Sequence, residues 1–180
     1  LGGVWTAGLL NPLFDHRRKG FIVEELVQRL QLAGAWKPWK AANGWNCFDV
    51  EVMKRTLEAW CDEMGVEYWY HCPVVDAVVV DGRVAGAVVE GKWGRRAVLA
   101  KVAIDASGDG DLAAHSGAAF HHGRDLDGLC QPATLMFEID GLPADFNQPD
   151  TSWLYDGMRA AIASAGLPYE LPIDRVNYAP

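Results

Sequence analysis

The chain has 180 residues, 50% of them apolar and 22% charged, with a net charge of −8, which suits one ordinary folded domain with a substantial core and argues against disorder. The negative balance argues against a nucleic-acid face, because phosphate binding needs clustered Lys and Arg, and the nearest cluster, Arg17 to Lys19, is a short solvated patch ahead of a helix. From Leu1 the segment LGGVWTAGLLNP reads as a loop, and Phe21, Ile22, Leu26, Val27 and Leu30 then recur at helical spacing until Gly34 stops the helix. Residues 35–47, rich in Trp, Pro, Gly and Asn, read as an irregular surface excursion. A second helix is expected from Asp49, its N-cap, to Met64, burying Met53, Leu57, Trp60, Cys61 and Met64 before Gly65 ends it.

Strand patterns follow. Val66 to Tyr70 reads as a short strand, and Val74 to Val80 and Val84 to Glu90 flank Asp81-Gly82, a strong hairpin signal. A turn at Gly91 to Gly94 leads to a third strand, Ala97 to Ala100, completing an antiparallel meander. Val102 to Ile104 reads as a buried strand of a parallel sheet, since it is apolar without alternation. It feeds a small-residue turn, Asp105 to Gly110, and a helix beginning near Asp109 or Asp111. Beyond it come a polar loop or edge strand from Ala118 to Gly128, a strand from Ala133 to Ile139, a loop from Gly141 to Pro149, and a helix from Thr151 to Ala165 with Gly166 as its stop. No run reaches the ~18 to 20 apolar residues of a membrane span, and no signal peptide opens the chain. Cys47, Cys61, Cys72 and Cys130 lack zinc-like spacing, so free thiols in a reducing, cytoplasmic compartment are expected.

The turn after Ile104 has the composition of a ligand site. Ala106, Ser107, Gly108 and Gly110 let backbone approach a ligand closely, and a helix start follows. Asp109 and Asp111 repel a pyrophosphate but accept hydrogen bonds well from sugar or ribitol hydroxyls. Their plainer role is capping the helix, worth ~0.3 to 1 kcal/mol each. A calcium loop is set aside because the spacing of Asp105, Asp109 and Asp111 departs from the EF-hand pattern and no Glu closes it. His121 and His122 are the acid/base candidates by residue type, with a surface pair as the commoner case. Arg124 is expected in a solvated ion pair with Asp125 or Asp127, and His115 as a half-exposed helix residue. Cys130 has no partner nearby in sequence and is assigned no redox role.

With its meander preceding an Ala106-Ser107-Gly108 turn, the chain resembles the FAD-binding domain of oxidoreductases of the glutathione-reductase structural type. The segments LGGVWTAGLLNP, IDASGDGDLAAHSGAAF and GRDLDGLCQPATLMFEIDG resemble the FAD-dependent oxidoreductase family, on a branch near fumarate reductase. The resemblance implies an α/β fold: an incomplete Rossmann-like FAD-binding domain over residues 1–128 with an inserted three-stranded meander, and the start of a substrate domain over 129–180. The N-terminal strand with its GxGxxG loop and the acidic ribose ligand are not in the sequence, so an internal fragment is expected, without tight FAD binding by itself.

Cofactor contacts implied by the resemblance are Gly2, Gly3, Thr6 and Ala7, with Gly8, along the flavin, and Val74, whose backbone would meet the adenine edge. Ala106, Ser107, Gly108, Asp109 and Asp111 would line the FAD hydroxyls. FAD would exchange a hydride with a small-molecule organic substrate; the sequence yields no catalytic residue, no metal site and no oligomeric state. The competing reading is a non-catalytic carbohydrate- or protein-binding α/β module whose Trp36 to Trp45 loop is a stacking platform.

Overall fold

A computed structural model of the chain describes residues 1–14, 16–38, 46–131, 133–138, 140–141 and 152–168. They form two compact units: Gly2–Ala59 with Met136–Pro180, and Trp60–Leu135 with Leu1.

In the first unit a single 3-10 turn, Gly3–Trp5, leads to β1 (Pro12–Leu13), α1 (Phe21–Leu32), β2 (Trp36–Pro38) and β3 (Asn46–Phe48), then to α2 (Val50–Glu63), whose last four residues are assigned to the second unit. The three short strands form an antiparallel sheet in the order β1-β3-β2, with Leu13 opposite Asn46 and Trp36 opposite Phe48. Residues 36–38 and 46–47, expected as part of an irregular excursion over 35–47, are instead paired strand, and 39–45 lie outside the described residues. His16 ties the sheet together: its Nδ1 lies 3.0 Å from the Leu13 carbonyl and its Nε2 lies 3.3 Å from the Asn46 amide nitrogen. One neutral tautomer serves both contacts, Nδ1–H donating and Nε2 accepting. The His16 ring also meets Trp36 edge-on at 5.0 Å between centroids.

The buried centre of this unit is Leu13, Leu26, Leu30, Cys47, Phe48, Val50 and Met53, and Trp5 packs edge-on against Phe48. On α1 the buried stripe is confined to Leu26 and Leu30, while Phe21 and Ile22 in its first turn are exposed. Asp49 caps α2 as expected, its Oδ1 accepting from the Val52 N–H at 2.9 Å. Met64, expected inside, is exposed, because it lies past the last helical residue in the closing turn. Later in the chain α4 (Ser152–Ser164) begins one residue after the expected Thr151, which is outside the described residues; Tyr155 is buried, with the Arg159 guanidinium 5.3 Å from its ring centroid.

In the second unit β4 (Val74–Val80), β5 (Arg83–Gly91) and β6 (Gly94–Leu99) make the expected antiparallel meander in sequence order. Asp81 and Gly82 both have positive φ, 49° and 72°, the backbone a tight hairpin turn requires. A bulge sets Val74 opposite Val89 and Asp76 opposite Val88, leaving Val75 as the extra residue of β4. Helix α3 (Asp111–His115) packs beside β4.

Three expected strands do not form. Residues 66–70 and 102–104 are irregular, and so are 133–138; Ile139 lies outside the described residues. Val102 and Ile104 are 77% and 85% exposed. An apolar run becomes a buried parallel strand only where neighbours accept its backbone groups on both sides, and among the described residues β4, β5 and β6 pair only with one another. Residues 118–128, left open as loop or edge strand, are loop, and 142–149 lie outside the described residues.

The four α-helices among the described residues close in the same way. After α1, the Ala35 N–H reaches the Leu30 carbonyl (2.8 Å) and the Gly34 N–H reaches Gln31 (3.0 Å), the paired bonds of a Schellman end; α2, α3 and α4 repeat it at Gly65, Gly117 and Gly166. Met53 has no exposed surface, so Met53→Ala should lower stability by about 2–5 kcal/mol in denaturant unfolding. A loss below about 1 kcal/mol would mean that the α2 contact with this core is dispensable.

Candidate functional site

The turn from Asp105 to Gly110 is organised by one carboxylate. Asp105 Oδ1 accepts from the Ser107 hydroxyl (2.7 Å) and the Ser107 N–H (3.0 Å), and Oδ2 accepts from the Ala113 N–H (2.8 Å). The Ser107 hydroxyl oxygen in turn accepts from the N–H groups of Gly110 (2.9 Å) and Asp111 (3.1 Å). The donors that open α3 are thereby taken up by Asp105 and Ser107, two side chains that lie ahead of the helix. These bonds hold the Asp105 carboxyl below its usual range, the Ser107 hydroxyl contributing most, then the Ala113 and Ser107 N–H groups.

The capping role open to Asp109 and Asp111 thus falls to other residues. The N-cap position is Gly110, with no side-chain cap bond of its own. Asp109 and Asp111 are exposed, in and beside a turn that Asp105 has already closed. A Cβ built on Gly108 meets nothing within 4 Å, so the chain is open beside Ala106, Ser107 and Gly108. What this surface offers a ligand is carboxylate oxygen rather than unpaired N–H, an acceptor-rich face suited to hydroxyl donors.

Val74 stands at the start of β4, the strand beside α3, so the fold brings the adenine-edge candidate's strand and the glycine turn's helix together in one unit. β4 is an edge strand of its sheet, and the Val75 bulge breaks the ladder immediately after Val74. Among the described residues, backbone groups beside Val74 are thereby left outside the ladder.

Gly2, Gly3, Thr6 and Ala7 belong to the other unit and form a knot of their own. The Trp5 N–H bonds the Gly2 carbonyl, those of Thr6 and Gly8 bond Gly3, and Leu10 bonds Val4, at 2.9–3.1 Å. Thr6 is buried, and its hydroxyl donates back to the Gly3 carbonyl at 3.3 Å. All three glycines of this segment are required by the chain itself: a Cβ on Gly8 would come 2.8 Å from Val4 Cα, one on Gly2 would come 2.9 Å from Thr6 Cγ2, and Gly3 has φ 45°, a left-handed backbone that favours glycine. Gly3 and Ala7 remain exposed.

Arg124 pairs with Asp127 rather than Asp125, through Nε at 3.0 Å and through a second bond from Nη2 to Oδ2. That guanidinium first, and the Leu129 N–H second, hold the Asp127 carboxyl below its usual range. His115 and His121 are exposed. The absence of a partner for Cys130 is corrected: the loop places its Sγ 3.6 Å from His122 Nε2, a proximity that eight residues of sequence separation conceal. Among the described residues no group of three or more His, Cys, Asp and Glu is placed to hold a metal, and no helix is long and apolar enough to cross a membrane.

The model of the family described as FAD dependent oxidoreductase matches residues 1–173. The chain belongs to that family. Comparison with curated proteins gave no match, and neither did comparison with solved structures. FAD is the cofactor of the FAD-dependent oxidoreductases, and the Asp105 turn offers its hydroxyls a fitting partner: an open surface edged by two carboxylates. The residue that sequence reasoning undervalued is Asp105, weighed only as a calcium ligand. Its signal was the Asp-x-Ser spacing ahead of a helix, the pattern of an Asx turn.

The depressed pKa of Asp105 fixes the sign of a pH effect. Its stabilising bonds are fully present above the ordinary carboxylate value of about 4, and are lost as pH falls through the lower folded value. Amide exchange at Ser107 and Ala113 should therefore accelerate on acidification beyond the chemical pH dependence of exchange, and Asp105→Asn should show fast exchange at both sites at neutral pH. Unchanged protection of Ala113 in that variant would remove Asp105 from the centre of the turn.

Proposed function

We propose that the chain forms a hydroxyl-binding wall of the FAD site in an oxidoreductase that moves a hydride between an organic substrate and the flavin. The observation that carries this reading is the combination, in a member of this family, of a helix start already satisfied by Asp105 and Ser107 with the exposed Asp109 and Asp111. A pyrophosphate would find its donors occupied and two negative charges beside them, whereas ribitol or ribose hydroxyls would find acceptors. When bound, FAD supplies the ring that takes up or gives back the hydride. The chain's part is to orient the cofactor: Asp109 and Asp111 by accepting hydroxyl hydrogen bonds, and Val74 through backbone at the β4 edge.

In the same reading the domain is Rossmann-like, of the glutathione-reductase type and near the fumarate-reductase branch. The pyrophosphate is not held at this turn, whose N–H groups are already bonded. A reducing, cytoplasmic setting accords with four free thiols, and the substrate is a small organic molecule. The test is FAD titration followed by flavin fluorescence or absorbance. Asp109→Asn and Asp111→Asn should each weaken FAD binding about tenfold, the effect of losing one charge-assisted hydrogen bond of about 1.4 kcal/mol. Ser107→Ala should act indirectly, weakening binding together with amide protection at Gly110. Unchanged FAD affinity in the Asp109 and Asp111 variants would overturn the hydroxyl-wall assignment.

A further inference from the structure

Outside the Asp105 turn, the described residues hold one thiol beside a base. Residues 123–129 form a closed loop: the Arg124 N–H bonds the Leu129 carbonyl at 3.0 Å, the Gly128 N–H bonds the Arg124 carbonyl at 2.8 Å, and the Leu129 N–H bonds Asp127 Oδ1 at 3.0 Å. The Arg124–Asp127 ion pair braces it. Gly123 passes so near Gly128 that a Cβ there would come 2.1 Å from the Gly128 carbonyl oxygen, which only glycine permits. The flanks of this loop are His122 and Cys130, and its closure brings the Cys130 Sγ to 3.6 Å from His122 Nε2 and 4.0 Å from Nδ1. Both side chains are exposed to solvent and to small reagents.

We propose that Cys130 and His122 form a reactive thiol site that takes up low-molecular-weight disulfides as a mixed disulfide. The nucleophile of thiol–disulfide exchange is the thiolate, and an adjacent imidazole generates it by accepting the proton. His122 takes the thiol proton, and Cys130 Sγ attacks one sulfur of the disulfide. The Cys130–S bond to that sulfur forms as the reagent's S–S bond breaks, and the departing thiolate recovers the proton from the imidazolium. Cys130 is oxidised, one half of the reagent is reduced to a free thiol, and no other reactant is needed. Neither residue belongs to the FAD-contact set.

The chain's other thiols serve as internal references. Cys47 is buried, and burial pushes its thiol up to about 11, so it stays unreactive while the fold is intact. Cys72 donates to the Tyr70 carbonyl at 3.0 Å, and Cys61 is half-buried on α2.

The experiment exposes the protein to glutathione disulfide and follows each cysteine peptide by mass spectrometry. Cys130 should acquire the glutathione adduct about tenfold faster than Cys61 or Cys72. His122→Asn should abolish that lead, with Cys47 still unmodified, and added imidazole should restore part of it. Gly123→Val, which forces the loop open without touching either reacting group, should abolish it too. Equal rates at Cys130, Cys61 and Cys72 in the unaltered protein would overturn the proposal whatever the variants do. So would an unaltered Cys130 rate in His122→Asn, or a lost rate that imidazole does not restore while Cys47 stays protected.

Discussion

The Asp105 carboxylate decides what the central turn of this chain can bind. Its two oxygens reach forward to Ser107 and to Ala113, and through the Ser107 hydroxyl they govern Gly110 and Asp111 as well. A glycine-bearing turn running into a helix is ordinarily an anion site, because the first N–H groups of the helix have no partner. Here the Ala113 N–H is already bonded to the Asp105 carboxylate, and those of Gly110 and Asp111 to the Ser107 hydroxyl that Asp105 holds. The carboxylates that follow, Asp109 and Asp111, are exposed beside a satisfied turn, and their lone pairs are available to hydroxyl donors.

A similar self-sufficiency marks the N-terminal knot. Small residues from Gly2 to Gly8 suggest close approach by a flat ligand, yet Gly8 is small because Val4 lies against it and Gly2 because Thr6 does. Gly3 and Ala7 are the positions where small size leaves open surface. Composition identifies crowding without saying what does the crowding, and only the folded backbone separates the chain from its ligand.

What was legible in the sequence was local. The Asp81-Gly82 hairpin, the Asp49 cap and the glycine stops of the helices depend on a few neighbouring residues, and each stands where its pattern put it. The misreadings needed a partner distant in sequence. Val102 to Ile104 carries the pattern of a buried strand, but a strand forms only if others lie beside it. Strands β1, β2 and β3, two or three residues each, were too short for any periodicity to announce them. Of the site, Ser107, Gly108, Asp109 and Asp111 could be picked out as a motif, whereas the role of Asp105 across eight residues to Ala113, and the meeting of Cys130 with His122, required the loops to be closed. Family membership then supplied the cofactor, which no single residue of the turn could name.

The central claim is that this turn binds hydroxyls and not phosphates. It is tested most directly by heteronuclear NMR of the protein with the Asp side-chain carboxyls and backbone amides labelled, titrated separately with FAD and with inorganic pyrophosphate. FAD should shift the carboxyl signals of Asp109 and Asp111 while the Gly110 and Ala113 amides keep their bonds to Ser107 and Asp105, and pyrophosphate should leave all of them in place. Movement of the Gly110, Asp111 and Ala113 amides on adding pyrophosphate, with the Asp109 and Asp111 carboxyls unmoved by FAD, would contradict it.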